Sequence, residues 1–283
     1  MNAFSAISKR LKYDKKPLLN LNHLQTQIKK RIEGKIDNSI YNLESYSCPI
    51  CDSNIFSTLA NKDRYGLYMS TSICNQCGLI QTNPCLDHQS FETFYKEEYR
   101  KLYVGKETAT NTFFFEQQTR GARTYKYIKS SGVNCENVLE VGCGAGGILK
   151  YFKDRGSNIF GLDIDGEYIK YGIEIHDLNL EARRLSFSDG NFNPDLIIYS
   201  HVLEHIKEID NELDMLNQIS NENTKIYIEV PGVKNLHNSY GMDLGKYLQN
   251  AHVYHFSLAS LENIMSKHGF TLIKGDEGIK ALF

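Results

Sequence analysis

From residue 137 onward, short apolar runs alternate with longer stretches in which apolar positions recur every three or four residues. The short runs predict strands at 138–141, 159–163, 196–200, 225–230, 270–274 and 279–283, with a weaker one at 180–185. The longer stretches predict helices over 146–155, 166–176, 205–220 and 257–269. Strands alternating with helices point to an open, mostly parallel α/β sheet. Only Gly275-Asp276-Glu277-Gly278 joins the last two strands, too short for a crossover, so these two pair antiparallel.

The first half reads differently. Leu21, Leu24, Ile28, Ile32 and Ile36 form one apolar stripe of a helix. Residues 47–86 are short, cysteine-paired and weakly hydrophobic, the mark of a small separate module. Residues 87–131 turn helical and carry an aromatic cluster (Phe91, Phe94, Tyr95, Tyr99, Tyr103 and Phe113–Phe115) whose spacing predicts core or interdomain packing. Four segments follow: a basic helical arm at 1–46, the cysteine module at 47–86, an aromatic helical linker at 87–131 and an α/β domain at 132–283.

Charge narrows the partners. Over 283 residues the net charge is −2, which argues against a protein that lives on nucleic acid. The arm at 1–46 departs from this, with nine Lys or Arg against four acids. It is read first as a helix with a solvated Lys face packed on the body. Contact with an anionic substrate, or peripheral contact with an acidic membrane surface, is the functional alternative. No apolar run approaches the ~18 residues of a membrane span. The first sixteen residues lack a secretory signal's apolar core, so the cytoplasm is the expected compartment.

Candidate chemistry begins at Val138-Leu139-Glu140-Val141-Gly142-Cys143-Gly144-Ala145-Gly146-Gly147, a strand running into a glycine turn and a helix. The glycines also fit a dinucleotide fingerprint, with Asp163 placed to hold a ribose. Glu140 discriminates. A pyrophosphate over this turn would be repelled by a carboxylate, whereas S-adenosylmethionine brings an ammonium and a sulfonium that favour one.

This region resembles the class I S-adenosylmethionine-dependent methyltransferases. The resemblance is carried by Glu140 to Gly146, by Gly161-Leu162-Asp163-Ile164-Asp165, and by Asp195-Leu196-Ile197-Ile198-Tyr199-Ser200-His201-Val202-Leu203-Glu204-His205. It implies a Rossmann-like seven-stranded sheet with an antiparallel last strand. It also implies that Glu140, Gly142, Cys143 and Gly144 line the methionine and ribose side of the cofactor. Asp163 would take the ribose hydroxyls, Ile164 and Phe187 would flank the adenine, and His201 would form a pocket wall. For Cys143 and Gly147 a packing role is the alternative.

Cys48-Pro49-Ile50-Cys51 and Cys74-Asn75-Gln76-Cys77 offer four thiolates, the donor set of structural Zn²⁺, with no coordination position left for catalysis. For proton removal, His252 is the first choice, His205 the second, and Asp243 a partner that would orient either. These lie after strands four and five, at the sheet edge where such folds bind ligands. The stretch from Pro231 to Ser257 is long for a connection and reads as a lid or binding loop. His255-Phe256-Ser257 reads as a helix entry with Ser257 as N-cap.

The layout of cysteine module, aromatic linker and core is similar to bacterial methyltransferases with an N-terminal zinc-binding domain, many of them acting in deoxysugar and surface-polysaccharide biosynthesis. That resemblance implies a saccharide acceptor. The sugar C-methyltransferases of the group carry a further C-terminal domain, and with this sequence ending at Phe283 O-methylation is the expectation. A zinc-finger RNA base methyltransferase and a non-catalytic cofactor-binding module are the alternatives.

Overall fold

The computed structural model describes residues 6–106 and 110–283. Along the chain run α1 (His23–Asp37), β1 (Leu43–Glu44), β2 (Phe56–Lys62), β3 (Tyr68–Cys74), β4 (Ile80–Thr82), β5 (Cys85–Leu86), α2 (His88–Phe94) and α3 (Arg100–Val104). Next come α4 (Asn111–Lys129), β6 (Asn137–Val141), α5 (Gly147–Lys153), β7 (Asn158–Asp163), α6 (Gly166–His176), β8 (Leu180–Ala182), β9 (Leu196–Ser200), α7 (Ile209–Ile219) and β10 (Lys225–Glu229). The chain ends with α8 (Leu244–Tyr247), β11 (Tyr254–His255), α9 (Leu258–Lys267), β12 (Lys274–Gly275) and β13 (Lys280–Leu282). Two units result: Met1–Glu107 with Pro231–Ile264, and Thr108–Val230 with Met265–Phe283. The four-segment division read from the sequence keeps 231–264 in the α/β domain, whereas in the structure these residues pack with the N-terminal ones.

The second unit holds a seven-stranded sheet in the order β12-β13-β10-β9-β6-β7-β8. The pairs β10–β9, β9–β6, β6–β7 and β7–β8 are parallel, and β13 runs antiparallel to both β10 and β12. Strand order reverses between β6 and β9, the switch point where open α/β sheets take ligands. The central strands are apolar on both faces because helices cover both: Val138, Leu139, Leu196, Ile197 and Ile198 have no exposure. Each such side chain contributes roughly 1.5–3 kcal/mol of burial. Helix α4 meets α5 backbone to backbone. A Cβ on Gly147 would stand 2.6 Å from the Phe114 carbonyl oxygen, and one on Gly121 2.9 Å from that of Ile148. The packing alternative for Gly147 is the one the structure takes. The predicted strand at 270–274 shrinks to Lys274–Gly275, since only these residues pair with β13.

In the first unit, β2, β3 and β4 form an antiparallel sheet. Helix α1 is set by a capping box: Gln25 N–H donates to Asn22 Oδ1 (2.9 Å) and Asn22 N–H to Gln25 Oε1 (3.0 Å). Its apolar stripe is buried at Ile28 and Ile32 in a cluster with Tyr41, Phe94 and Leu102. Its basic face is neutralised at several points, as Lys29 pairs with Glu33 (2.6 Å) and Lys35 with Glu97 (2.8 Å) and Glu98 (2.7 Å). The stretch after β10 is no open loop. It forms short helical turns, then α8, then β11, which pairs Tyr254 with Gln81 and His255 with Ile80 as the fourth strand of the cysteine-module sheet. Ser260 N–H donates to Ser257 Oγ (3.2 Å), so Ser257 caps α9 as expected.

Candidate functional site

The glycine turn after β6 is shaped by hydrogen bonds to β7. Gly142 and Cys143 N–H donate to the Leu162 carbonyl (2.7 and 2.9 Å), and Gly144 N–H donates to Asp163 Oδ2 (2.7 Å). Gly142 has φ +71°, which disfavours a side chain, and a Cβ there would lie 2.2 Å from a Val202 methyl. The close approach that requires glycine here is to Val202 after β9, not only to a ligand. The Cys143 side chain is 5 % exposed and belongs to the core. Its thiol would lie 2.8 Å from a Cβ on Gly161, so the side chain packs between strand and turn.

Glu140 sits in β6 beneath this turn, 2 % exposed, and its Oε2 has no hydrogen-bond partner among the described residues. Burial, and then the nearby charge of Asp163, push its pKa well above the ordinary carboxylate value, while Arg120 on α4 opposes the shift. Asp163 ends β7 and is nearly buried, accepting from Gly144 N–H and, through Oδ1, from Asp165 N–H (2.8 Å). Two buried acids thus bear on each other at the switch point, an arrangement stabilised by a cation. Ile164, next along, is exposed, as is Phe187 after β8. Apolar side chains held in water flank an aromatic ring well. Asp189 in the same turn is engaged by Arg183 through both carboxylate oxygens (2.6 and 2.9 Å).

Beyond β9 the chain bends sharply. His201 has φ +57°, uncommon outside glycine, and its N–H donates to the Glu229 carbonyl (2.7 Å). The bend brings His201 and His205 to one buried carboxylate: His201 Nδ1 lies 3.6 Å and His205 Nε2 3.7 Å from Glu204 Oε1. Burial alone would raise the pKa of Glu204, but the two imidazoles more than offset it and hold it below the ordinary value. Two side chains escaped the sequence reading. Ser200 Oγ, at the strand end, is buried with no partner among the described residues, and the charge of Arg120, on a helix 20 residues upstream of Glu140, bears on that carboxyl. Only Ser200 carried a signal, its place at the end of an apolar strand.

The other candidate bases belong to the first unit. His252 is 3 % exposed, its carbonyl accepts from Thr82 Oγ1 (2.6 Å), and its ring meets the Gln249 side-chain amide. Among the described residues Asp243 makes no hydrogen bond to a histidine. Its Oδ1 caps α8 at Gly245 N–H (3.0 Å) and its Oδ2 pairs with Arg10, so both oxygens are taken. A local signal for this existed in Asp243-Leu244-Gly245, a cap followed by a short helix.

The four cysteines converge as their spacing implies. Phe56 of β2 pairs with Cys74 of β3, setting the loop of Cys48 and Cys51 against the knuckle of Cys74 and Cys77. Their sulfurs all lie within 4.8 Å of one another, with Cys48–Cys77 at 3.3 Å and Cys51–Cys74 at 3.5 Å. All four are free thiols. A tetrahedral Zn²⁺ with ~2.3 Å Zn–S bonds requires sulfurs about 3.8 Å apart, and this group fits one.

Fold, strand order and glycine turn define a class I Rossmann-like methyltransferase. A family profile for the methyltransferase domain matches residues 95–274, and the chain belongs to that family. It is similar to two proteins of Methanocaldococcus jannaschii, each named "Putative ribosomal RNA large subunit methyltransferase". One is 29% identical over 106 residues (37% of this chain, 26% of the relative), the other 26% over 140 residues (48% and 35%). The chain thus spans about a quarter to a third of these relatives' length. Among solved structures it is similar to a SAM dependent methyltransferase from Archaeoglobus fulgidus, at 25% identity over 57% of this chain and 75% of that one, TM-score 0.45. A second is the 1,6-didemethyltoxoflavin-N1-methyltransferase of Burkholderia thailandensis, at 13% identity over 76% and 92%, TM-score 0.49.

Proposed function

We propose that the chain is an S-adenosylmethionine-dependent methyltransferase whose acceptor is a hydroxyl of a sugar, sugar nucleotide or glycan component. The observation that carries the cofactor is Glu140, a buried carboxylate with an unpartnered oxygen beside a second buried acid, beneath a glycine turn at the switch point. A cationic ligand relieves that repulsion and a pyrophosphate would deepen it. Glu140 would face the ammonium, Asp163 the ribose hydroxyls, Ile164 and Phe187 the adenine, and His201 the pocket wall.

When bound, the cofactor supplies a methyl group already activated by positive sulfur. The protein's task is to hold the acceptor in line and remove its proton. His205 is the base we favour on geometry, because the Glu204 carboxylate faces its ring and stabilises the imidazolium that proton uptake creates. His252 is the competing choice. The four thiols would hold a structural Zn²⁺. The saccharide acceptor is supported by the layout of cysteine module and core, and by the pairing of the arm's cations with acids, which leaves less basic surface for RNA.

The names of the two archaeal relatives favour a second reading, an RNA acceptor. Incubation with methyl-labelled S-adenosylmethionine and a cell extract, followed by fractionation, separates them. Label in sugar nucleotides or glycans supports the first reading, label in RNA establishes the second, and no label in any fraction overturns the enzymatic reading.

A further inference from the structure

The turn joining β2 to β3, Asp63-Arg64-Tyr65-Gly66-Leu67, is unusual for a hairpin tip because it is buried throughout. Its backbone is tied down on several sides. Arg64 N–H donates to the Leu248 carbonyl (2.8 Å), Leu18 N–H donates to the Arg64 carbonyl (2.8 Å), and Gly66 N–H donates to the Asp63 carbonyl (3.0 Å). A Cβ on Gly66 would meet the Lys16 carbonyl carbon at 2.6 Å, so the tip has no room to relax. What it holds is an arginine, only 9 % exposed.

Buried cations in this unit otherwise have acids. Lys62, two residues away, pairs with Asp14 (2.8 Å), and Lys29 pairs with Glu33 (2.6 Å). Arg64 has no carboxylate within ion-pair distance among the described residues. Asp63, its sequence neighbour, spends its carboxyl on the backbone, accepting from Tyr65 N–H (2.9 Å), Leu67 N–H (2.8 Å) and Asn250 N–H (3.2 Å). The Arg64 Nη2 donates to Tyr65 Oη (2.9 Å) and to Gln249 Oε1, both neutral acceptors. Nε is buried and has no hydrogen-bond acceptor among the described residues. The rings of Tyr65 and Tyr103 lie 5.0 and 5.8 Å from the guanidinium carbon. Tyr103 is 45 % exposed and stacks on Tyr99 at 5.8 Å, while Tyr99 lies 4.5 Å from Tyr95 with the two rings tilted by 30°.

Asp63 feels the Arg64 charge but makes no ion pair with it, and a desolvated guanidinium without an ion-paired carboxylate is unfavourable unless an anion arrives to complete it. We propose that Arg64, oriented by Gln249 and Tyr65, is a built binding site for an oxyanion group, phosphate or carboxylate, of a small ligand, with Tyr103 as its partly exposed cover. The guanidinium is pre-oriented, so binding spends little ordering entropy, and its planar fork matches both oxyanions. The inference does not rest on the methyltransferase reading, since the site lies in the first unit and its test contains no cofactor.

The test is thermal unfolding of the full chain titrated with sodium pyrophosphate, or with sodium malonate, at ionic strength held constant with chloride. The wild type should gain melting temperature with one anion, saturably and above the chloride control, and the anion that saturates at lower concentration tells phosphate from carboxylate. Arg64→Gln should weaken that response about tenfold or more, the usual loss for one charge-assisted contact, and Arg64→Lys should restore it only in part. Tyr103→Ala, at an exposed ring, should keep the cooperative transition and weaken the response; it decides the matter where the Arg64 variants do not fold. No saturable gain with either anion in the wild type overturns the proposal. So does an undiminished gain in a folded Arg64→Gln protein or, should that variant not fold, in Tyr103→Ala.

Discussion

Glu140 shows how far a single residue could be read from the sequence. Its proposed role follows from local spacing, two residues ahead of a glycine turn, and the structure adds the burial and the neighbouring Asp163 that make it unfavourable when charged. A carboxyl whose pKa is raised by folding contributes stability below its unfolded value, about 4.3, and loses that contribution as pH rises through the higher folded value. The cofactor-free protein should therefore lose stability from about pH 4.3 upward on account of this group. Glu140→Gln should flatten that slope, raise the melting temperature at neutral pH and weaken S-adenosylmethionine binding about tenfold or more, read by calorimetry. A melting temperature unchanged by the substitution would show that the carboxylate is not a strained group. Less legible were the reasons for its neighbours. Gly142 is glycine because of Val202, 60 positions away, and Cys143 is core because of Gly161; spacing within one loop carries neither fact.

Among elements, the strands and helices of the sheet were legible because each has a clean period and a strong start or stop. The region from Pro231 to Ser257 was not, because β11 is two residues long and its stability comes from β4, far away in sequence. That dependence is testable. Thr82 N–H donates to the Val253 carbonyl (2.8 Å) and Thr82 Oγ1 to that of His252 (2.6 Å), so Thr82→Val should cost about 1 kcal/mol in denaturant unfolding by losing the second bond alone. The cysteine knuckles offer the sharper case. Only β2 and β3 register them, and sulfurs this close without a metal crowd one another. A chelator or Cys48→Ser should remove about one equivalent of zinc and lower the melting temperature by several degrees together. A melting curve indifferent to the chelator would mean that the four thiols hold no structural ion.

For the whole molecule the decisive property is where its positive charge goes. The arm at 1–46 stands out as basic in the sequence, but part of that charge is spent on acids, several from other elements: Arg10 on Asp243, Lys29 on Glu33, Arg31 on Glu98 (3.5 Å) and Lys35 on Glu97 and Glu98, while Lys9, Lys12, Lys16 and Lys30 face solvent. Such pairing is invisible to composition, because the acids come from residues up to 233 positions distant. Between the knuckles the two basic side chains, Lys62 and Arg64, are both buried. An acceptor gripped along a nucleic-acid backbone needs many solvent-facing cations, and its affinity then falls by orders of magnitude as salt rises from about 50 to 200 mM. A small acceptor held by one or two charges loses far less. Once label transfer has identified an acceptor fraction, its kcat/KM should change by no more than about threefold across that salt range. In the same assay His205→Ala should lower kcat by about 10² or more with S-adenosylmethionine affinity unchanged. A steep salt dependence would move the assignment to RNA, and wild-type turnover in His205→Ala would move the base to His252.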